Sequence, residues 1–494
     1  MRVIVVGAGV GGLAAAADLA RRGAEVLVLD RAAAEGGKMR ALNVAGAAID
    51  AGPTVFTMRW VFEGLFADAG QRIEDHLVLT PADVLARHAW RAGGRLDLFA
   101  DVARSEAAIG AFAGAREARG FADFIARSGA IHRTLRGPFM AAERPSPLEL
   151  VRRVGLGGLG DLWRTAPLRT LWGALGDHFQ DVRLRQLFGR YATYVGSSPW
   201  LAPATLMLIA HVEQDGVWSV AGGMRRVAAA LRELGAAQGA QFRFGAEVVE
   251  VVAEAGRAAG VRLADGERIA ANAVVFNGDA AALDGIAPGA VSGPRGVRSL
   301  SAVTWCVNAP TRGFPLSHHN VFFAEDYAAE FGAIFNRRDI TAAPTVYICA
   351  QDRAGGAVPQ DGAVERLLVL INAPADGDKR RFDAAEYAPR VAALLAACGL
   401  VVESSAENTV TTTPEGFAAL FPATGGALYG RASHGATSTL TRPGAASRLP
   451  GLYLCGGSVH PGPGVPMAAL SGRLAAARLL EDAAGRRGVV RISA

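Results

Sequence analysis

Residues Val3-Ile4-Val5-Val6-Gly7-Ala8-Gly9-Val10-Gly11-Gly12-Leu13, closed by Leu27-Val28-Leu29-Asp30, leave the chain few folds to choose from. A short apolar run reads as a buried strand, the spaced glycines as a tight turn, and the alanine-rich stretch that follows as a helix. The second apolar run is then a parallel strand ending in an acid, so the whole is a dinucleotide-binding βαβ unit. Gly7 permits the turn, Gly9 lets the backbone approach a pyrophosphate, and Gly12 lets the helix pack closely. The helix amino terminus points free N–H groups at the phosphates. Asp30 is placed to accept hydrogen bonds from a ribose diol.

The residues after Glu35 narrow the choice of nucleotide. Gly36-Gly37-Lys38 and then Gly46-Ala47-Ala48-Ile49-Asp50-Ala51-Gly52-Pro53 form a second glycine-rich extension that a simple NAD domain does not need. FAD is therefore the expected cofactor, with Gly37, Lys38, Gly52 and Pro53 beside it. Near the other terminus Leu452-Tyr453-Leu454-Cys455-Gly456-Gly457 reads as a last strand running into a glycine turn, and Val465-Pro466-Met467 opens a final helix. A helix amino terminus aimed at an isoalloxazine stabilises negative charge on the reduced ring. Gly456, Gly457, Val465, Pro466 and Met467 join the expected cofactor contacts, as does Val248 in the apolar run from Ala246 to Val251.

At 494 residues the chain exceeds one core, at roughly 150 residues per domain. The expected fold class is α/β: a Rossmann-like FAD-binding domain, which by these terminal motifs resembles the flavin amine oxidase and GDI-like superfamily, with an inserted α+β substrate domain. The FAD domain is discontinuous, over residues 1–75, 235–290 and 415–494. The substrate domain takes 76–234 and 291–414. Within it, short strands flank the Ala92-Gly93-Gly94 turn, and an alanine-rich helical stretch runs from Ser105 to Ser128. The residues from Gly260 to Ile269, around Asp265-Gly266, signal a hairpin.

Formal charge is +5, carried almost wholly by arginine, with lysine only at 38 and 379. That is a compositional habit and no nucleic-acid module accompanies it, so no nucleic-acid partner is expected. Cys306, Cys349, Cys398 and Cys455 are far apart, with no CxxC and no partnering histidines in sequence, which predicts neither metal site nor disulfide framework. With the first strand starting at Arg2 or Val3, a signal peptide has no room. No apolar run approaches the ~20 residues that span a bilayer. The expected location is the cytoplasm or a membrane surface. Residues 148–175 mix Leu and Trp with Arg152, Arg153, Arg164 and Arg169, as helices do that lie in a lipid interface or pack amphipathically on a core. The glycines from Gly155 to Gly160 argue against one continuous helix.

Gly7-x-Gly9-x-x-Gly12, Asp30, Gly36-Gly37-Lys38, Asp50-x-Gly52-Pro53-Thr54 and the run from Gly451 through His460-Pro461-Gly462-Pro463-Gly464-Val465-Pro466 together resemble the bacterial phytoene-desaturase-type carotenoid desaturases. The stretches Tyr191 to Thr205 and His211 to Met224 are most similar to the branch of 1-hydroxycarotenoid 3,4-desaturases (hydroxyneurosporene desaturases, methoxyneurosporene dehydrogenases) of purple phototrophic bacteria. Relatives commonly carry Glu at position 30 and many carry Arg at 38; Asp still reaches a diol and Lys still offers a cation. The resemblance implies FAD-dependent C3–C4 dehydrogenation of 1-hydroxy or 1-methoxy acyclic carotenoids, in spheroidene or spirilloxanthin synthesis. It also implies a membrane-delivered substrate and peripheral attachment to the inner membrane; the final electron acceptor stays open, with oxygen, a quinone or another carrier all fitting.

Such a reaction needs a hydride acceptor, which the flavin supplies, and a route for one proton. Glu213 and Asp215, with His211 beside them, are candidate proton acceptors, as is His460. Each has a plainer role open to it as a loop, capping or packing residue. Trp200, Trp218, Phe322, Phe323 and Tyr327 are candidates for an apolar substrate tunnel. Three other functions share parts of the pattern: phytoene desaturase, flavin amine oxidase, and a non-enzymatic isoprenoid escort protein.

Overall fold

The structure is a computed structural model that describes residues 1–292, 296–485 and 492, the side chain of Leu156 apart. Its first unit follows the amino-terminal pattern. Strand β1 (Arg2–Val6) pairs in parallel with β2 (Glu25–Asp30), and helix α1 (Val10–Arg21) crosses between them. Parallel strands Ala273–Phe276 and Leu452–Leu454 extend the sheet beyond β1, and Gln241–Phe244 extends it beyond β2. The strands beside β1 are continuous apolar runs because helices cover both faces of a parallel sheet. The last-named strand alternates Gln-Phe-Arg-Phe at the edge.

The apolar run from Ala246 onward does not enter the parallel sheet. It forms Val248–Glu254, which pairs antiparallel with Arg257–Leu263, itself paired with Arg268–Ala270. The more polar Gln241–Phe244 fills the sheet position, since an edge strand needs only one buried face. The Asp265-Gly266 hairpin is present in this small sheet.

Helix α1 is buried along nearly its whole length, between helix Arg225–Ala237 and the final helix Val465–Ala483. Its run of alanines and glycines allows that approach: a Cβ on Gly472 would lie 2.0 Å from the Gly11 carbonyl oxygen. Arg473 of the final helix, buried, bonds Asp18 of α1 at 3.1 Å and also Asp68. The two ends of the chain are thus packed into one unit, which puts both glycine turns side by side.

The second large sheet has eight strands, drawn from Val84–Trp90 and Arg95–Phe99 on one side of the sequence gap and Ser301–Thr412 on the other. They join where His319–Phe323 runs parallel to Val84–Trp90. The Ser105–Ser128 stretch is two helices, Val102–Ala113 and Ala115–Leu135, divided at Gly114 with φ +96°. Residues 148–175 likewise break, at Gly155, into Pro147–Val154, Leu159–Arg164 and the start of Leu171–His178. Among the described residues no helix is long and apolar enough to cross a membrane.

Candidate functional site

Between these sheets lies a cavity of about 1490 Å³. A pocket for one drug-sized ligand is roughly 300–1,000 Å³, so the space suits a dinucleotide together with a second long molecule. Gly7, Gly9 and Gly11 line it, and α1 starts at Gly9 with no side-chain cap. Its first N–H groups are therefore available to an anion. Asp30 sits at the end of β2, where Oδ2 accepts from the Ala8 N–H (2.7 Å) and Oδ1 from Ala32 (2.8 Å). Each oxygen keeps a lone pair for a ribose hydroxyl. Gly36 N–H bonds the Ala8 carbonyl at 2.9 Å, which holds the Gly36-Gly37-Lys38 loop against the first turn.

Gly37, Lys38, Gly52, Pro53, Val248, Gly456, Gly457, Val465, Pro466 and Met467 all line the same cavity. Gly12 does not; a Cβ there would stand 2.1 Å from the Gly7 carbonyl oxygen, so its place is to close the turn itself. The Lys38 ammonium donates to the Leu428 carbonyl at 2.5 Å and lies over the Phe421 ring, and burial lowers its pKa. The uncapped helix, the close-approach glycines and the Asp30 acceptor fit FAD. Asn277 was not singled out in sequence, yet its side chain donates to the Gly7 carbonyl (3.1 Å) and packs against the positions of Gly9, Gly11 and Gly456. Its signal was its place just after the strand that neighbours β1.

Of the candidate proton acceptors only Glu213 lines the cavity. It is buried, and accepts from the Tyr191 hydroxyl (2.8 Å) and the Tyr194 hydroxyl (2.7 Å). Burial raises its pKa, and the two tyrosine hydroxyls and Arg190 partly offset that. Arg190 donates to the Tyr194 oxygen at 3.1 Å, completing a relay from guanidinium to phenol to carboxylate. Asp215 is exposed at the end of helix Leu208–Gln214, outside the lining, and His211 packs against His132. Tyr327 lines the cavity; Trp200, Trp218, Phe322 and Phe323 do not, and pack behind it.

His460 also lies outside the lining. Its Nε2–H is shared between the carbonyls of Phe139 (2.9 Å) and Ala142 (3.0 Å), so it fixes the segment that carries the lining residues Phe139 and Met140. Burial, before any other cause, pushes its pKa down to about 4. Between pH 6.5 and 4 the unfolded chain binds a proton there that the folded one excludes. The stability is thus full above 6.5 and lost as pH falls toward 4, by about 3 kcal/mol at ~1.4 kcal/mol per pKa unit. Urea midpoints across that range should fall less steeply for His460→Asn than for the wild type; equal slopes would refute the assignment.

The fold brings His318 and His319 to Cys349, with one donor atom from each within 4.8 Å of the others, a grouping that sequence spacing did not show. Both imidazoles are tied to the protein through Nδ1, His318 to the Ala350 carbonyl (3.0 Å) and His319 to the Tyr347 hydroxyl (2.8 Å). The broken helical segment has two aspects. Leu150, Leu162, Thr165 and Pro167 line the cavity, whereas Leu148, Trp163 and Leu168 are 69–73% exposed.

Residues 10–480 match the family model described as flavin containing amine oxidoreductase. The chain is 54% identical to the hydroxyneurosporene desaturase of Rubrivivax gelatinosus, over 97% of this chain and 93% of the relative. It is 46% identical to the hydroxyneurosporene desaturase of Cereibacter sphaeroides, over 98% of both. Among solved structures it is similar to putrescine oxidase, with a TM-score of 0.60 at 16% identity over 97% of this chain and 99% of that one.

Proposed function

The chain belongs to the flavin containing amine oxidoreductase family, and from that premise we propose that it desaturates 1-hydroxy or 1-methoxy acyclic carotenoids at C3–C4. The cofactor is FAD. The observation that carries the proposal is the single cavity, which runs from a dinucleotide turn to a largely apolar lining with a few polar groups. The near full-length likeness to hydroxyneurosporene desaturases supplies the substrate class. Phytoene desaturation, amine oxidation and isoprenoid escort have no comparable support.

Gly7, Gly9, Asp30, Gly37, Lys38, Gly52, Pro53, Val248, Gly456, Gly457, Val465, Pro466 and Met467 hold the FAD in this proposal, with Gly12 keeping their turn closed. FAD bound there supplies the hydride acceptor, for a hydride leaving allylic C4. The residues of the chain manage the proton from C3. It passes to the Tyr194 oxygen as the Tyr194 proton moves to Glu213, whose burial makes it the better acceptor. Asp215 and His460 take no part. The discontinuous division at 1–75, 235–290 and 415–494 against 76–234 and 291–414 separates cofactor-holding from substrate-holding segments.

A lipid-dissolved substrate must enter from lipid. Leu148, Trp163 and Leu168, beside Arg152 and Arg164, form the membrane-facing patch of the proposal, since the same segment lines the cavity. In this proposal the protein sits peripherally on the cytoplasmic side of the inner membrane, where oxygen or a quinone reoxidises the flavin.

The test is incubation of FAD-loaded protein in anionic liposomes with 1-hydroxyneurosporene, neurosporene, phytoene and an amine. A red-shifted product from the hydroxylated carotenoid is expected. Turnover of the amine alone, or a colourless protein, would overturn the proposal. The combined variant Leu148→Asp, Trp163→Asp, Leu168→Asp is expected to lose liposome activity at least tenfold while retaining it on detergent-dispersed substrate.

A further inference from the structure

The cavity wall holds one group, Arg190, of whose N–H donors the proton relay through Tyr194 uses a single one. Arg190 lines the cavity, and among the described residues its guanidinium forms no ion pair. Among the described residues its one hydrogen bond runs from Nη1 to the Tyr194 oxygen. It lies over the Tyr194 and Tyr347 rings, 5.2 Å from each centroid. An arginine has five N–H donors, and Arg190 is half-buried at the cavity surface. The donors that Tyr194 does not use can therefore serve an acceptor on a ligand.

Its neighbours say where along a ligand that acceptor sits. The Tyr347 hydroxyl bonds both Thr54 (2.7 Å) and His319 (2.8 Å). Thr54 directly follows Gly52-Pro53, so the polar cluster adjoins the segment assigned to the flavin. In a 1-oxygenated carotenoid the C1 oxygen is three bonds from C3, one carbon–oxygen and two carbon–carbon. Any group that grips this oxygen must therefore stand next to the reacting carbons, as Arg190 does through Tyr194.

We infer that Arg190 is a positioning and specificity residue that donates a hydrogen bond to the C1 oxygen of the carotenoid and so presents C3–C4 for desaturation. The inference rests on the proposed 3,4-desaturase reading. Because guanidinium only donates, the anchor accepts a tertiary alcohol and its methyl ether alike; a carboxylate in the same place would reject the ether. The Tyr194 and Tyr347 rings keep the cation from swinging away when no substrate is present.

Three compounds test it: a 1-hydroxy carotenoid, its 1-methoxy ether, and an oxygen-free acyclic carotenoid used as a competitive inhibitor. Arg190→Met is expected to raise KM for both oxygenated substrates about tenfold or more, with a smaller effect on kcat. The inhibition constant of the hydrocarbon should stay within about twofold. Arg190→Lys, which restores a donor, should recover part of the loss on both. Equal weakening of all three ligands, or no change in any, would overturn the anchor. Should Arg190→Met fold poorly, Arg190→Ala gives the same comparison, again without a donor. Absence of wild-type turnover on the oxygenated substrates would instead remove the desaturase reading beneath it.

Discussion

Gly12→Val protein is expected to purify with less than a tenth of the wild-type flavin. The missing Cβ of Gly12 would stand 2.1 Å from the Gly7 carbonyl oxygen, and that oxygen already accepts from Asn277 at 3.1 Å. No side-chain rotation relieves a clash with backbone, so the turn must open. Overpacking of this kind costs roughly 1–3 kcal/mol in a core. Here the larger effect falls on binding, because opening the turn re-aims the uncapped N–H groups at the start of α1. Gly9→Val should act differently: a Cβ there meets only the Asn277 amide, at 3.0 Å, so the fold survives and the added bulk enters the phosphate space. The ratio of flavin to protein absorbance, with far-ultraviolet circular dichroism as the fold check, decides both. Normal flavin content in either variant would contradict the placement of the pyrophosphate.

The nucleotide half of the site was legible because its determinants are local. Glycine spacing, an apolar run and a terminal acid lie within the first 30 residues, and each acts on its near neighbours. The carboxyl-terminal turn was legible for the same reason. The approach of the two turns is a tertiary event, marked only by small residues on α1 and by Gly472, whose packing partners lie hundreds of residues away. Asn277 escaped notice because one asparagine after a strand carries no periodic signal. The edge strand Gln241–Phe244 shows the same limit, since an edge strand need not look apolar.

The substrate half was less legible. Thr54, Arg190, Tyr194, His319 and Tyr347 come from four separate stretches, and the pairing of His319–Phe323 with both Val84–Trp90 and Val346–Ala350 brings two of them together. In a chain this rich in arginine, Arg190 has no distinguishing local context. Glu213 stood out beside Asp215 only as one of two acids; burial against two tyrosines, which sequence cannot show, separates them. His460 was conspicuous through its motif, and the fold explains the motif differently: the imidazole ties down the Phe139–Ala142 backbone at the cavity wall.

The largest loss of stability is expected from Arg353→Met. Arg353 is 7% exposed and Glu365 fully buried, and they are joined by two hydrogen bonds of 2.6 and 2.8 Å. Arg353 also donates to the Leu316 carbonyl (2.9 Å), while Glu365 accepts from Thr311 at 2.5 Å. Removing the cation leaves a carboxylate in the sheet with one neutral donor. Breaking a buried pair from one side costs roughly 3–5 kcal/mol, and a lower urea midpoint with unchanged slope would report it. The double variant Arg353→Met, Glu365→Leu should recover most of that loss, because replacing both charges by apolar groups removes the stranded one. The consequence reaches the cofactor. The turn that carries Arg353 begins at Gln351, whose amide makes two 3.0 Å bonds to the Asp50 backbone, and Asp50 leads into Gly52-Pro53. Loosening the turn should therefore raise the rate of flavin release in Arg353→Met and restore it in the double variant. If the single variant lost less than about 1 kcal/mol, or the double variant were no better, the pair would not be the clamp between the substrate sheet and the flavin extension.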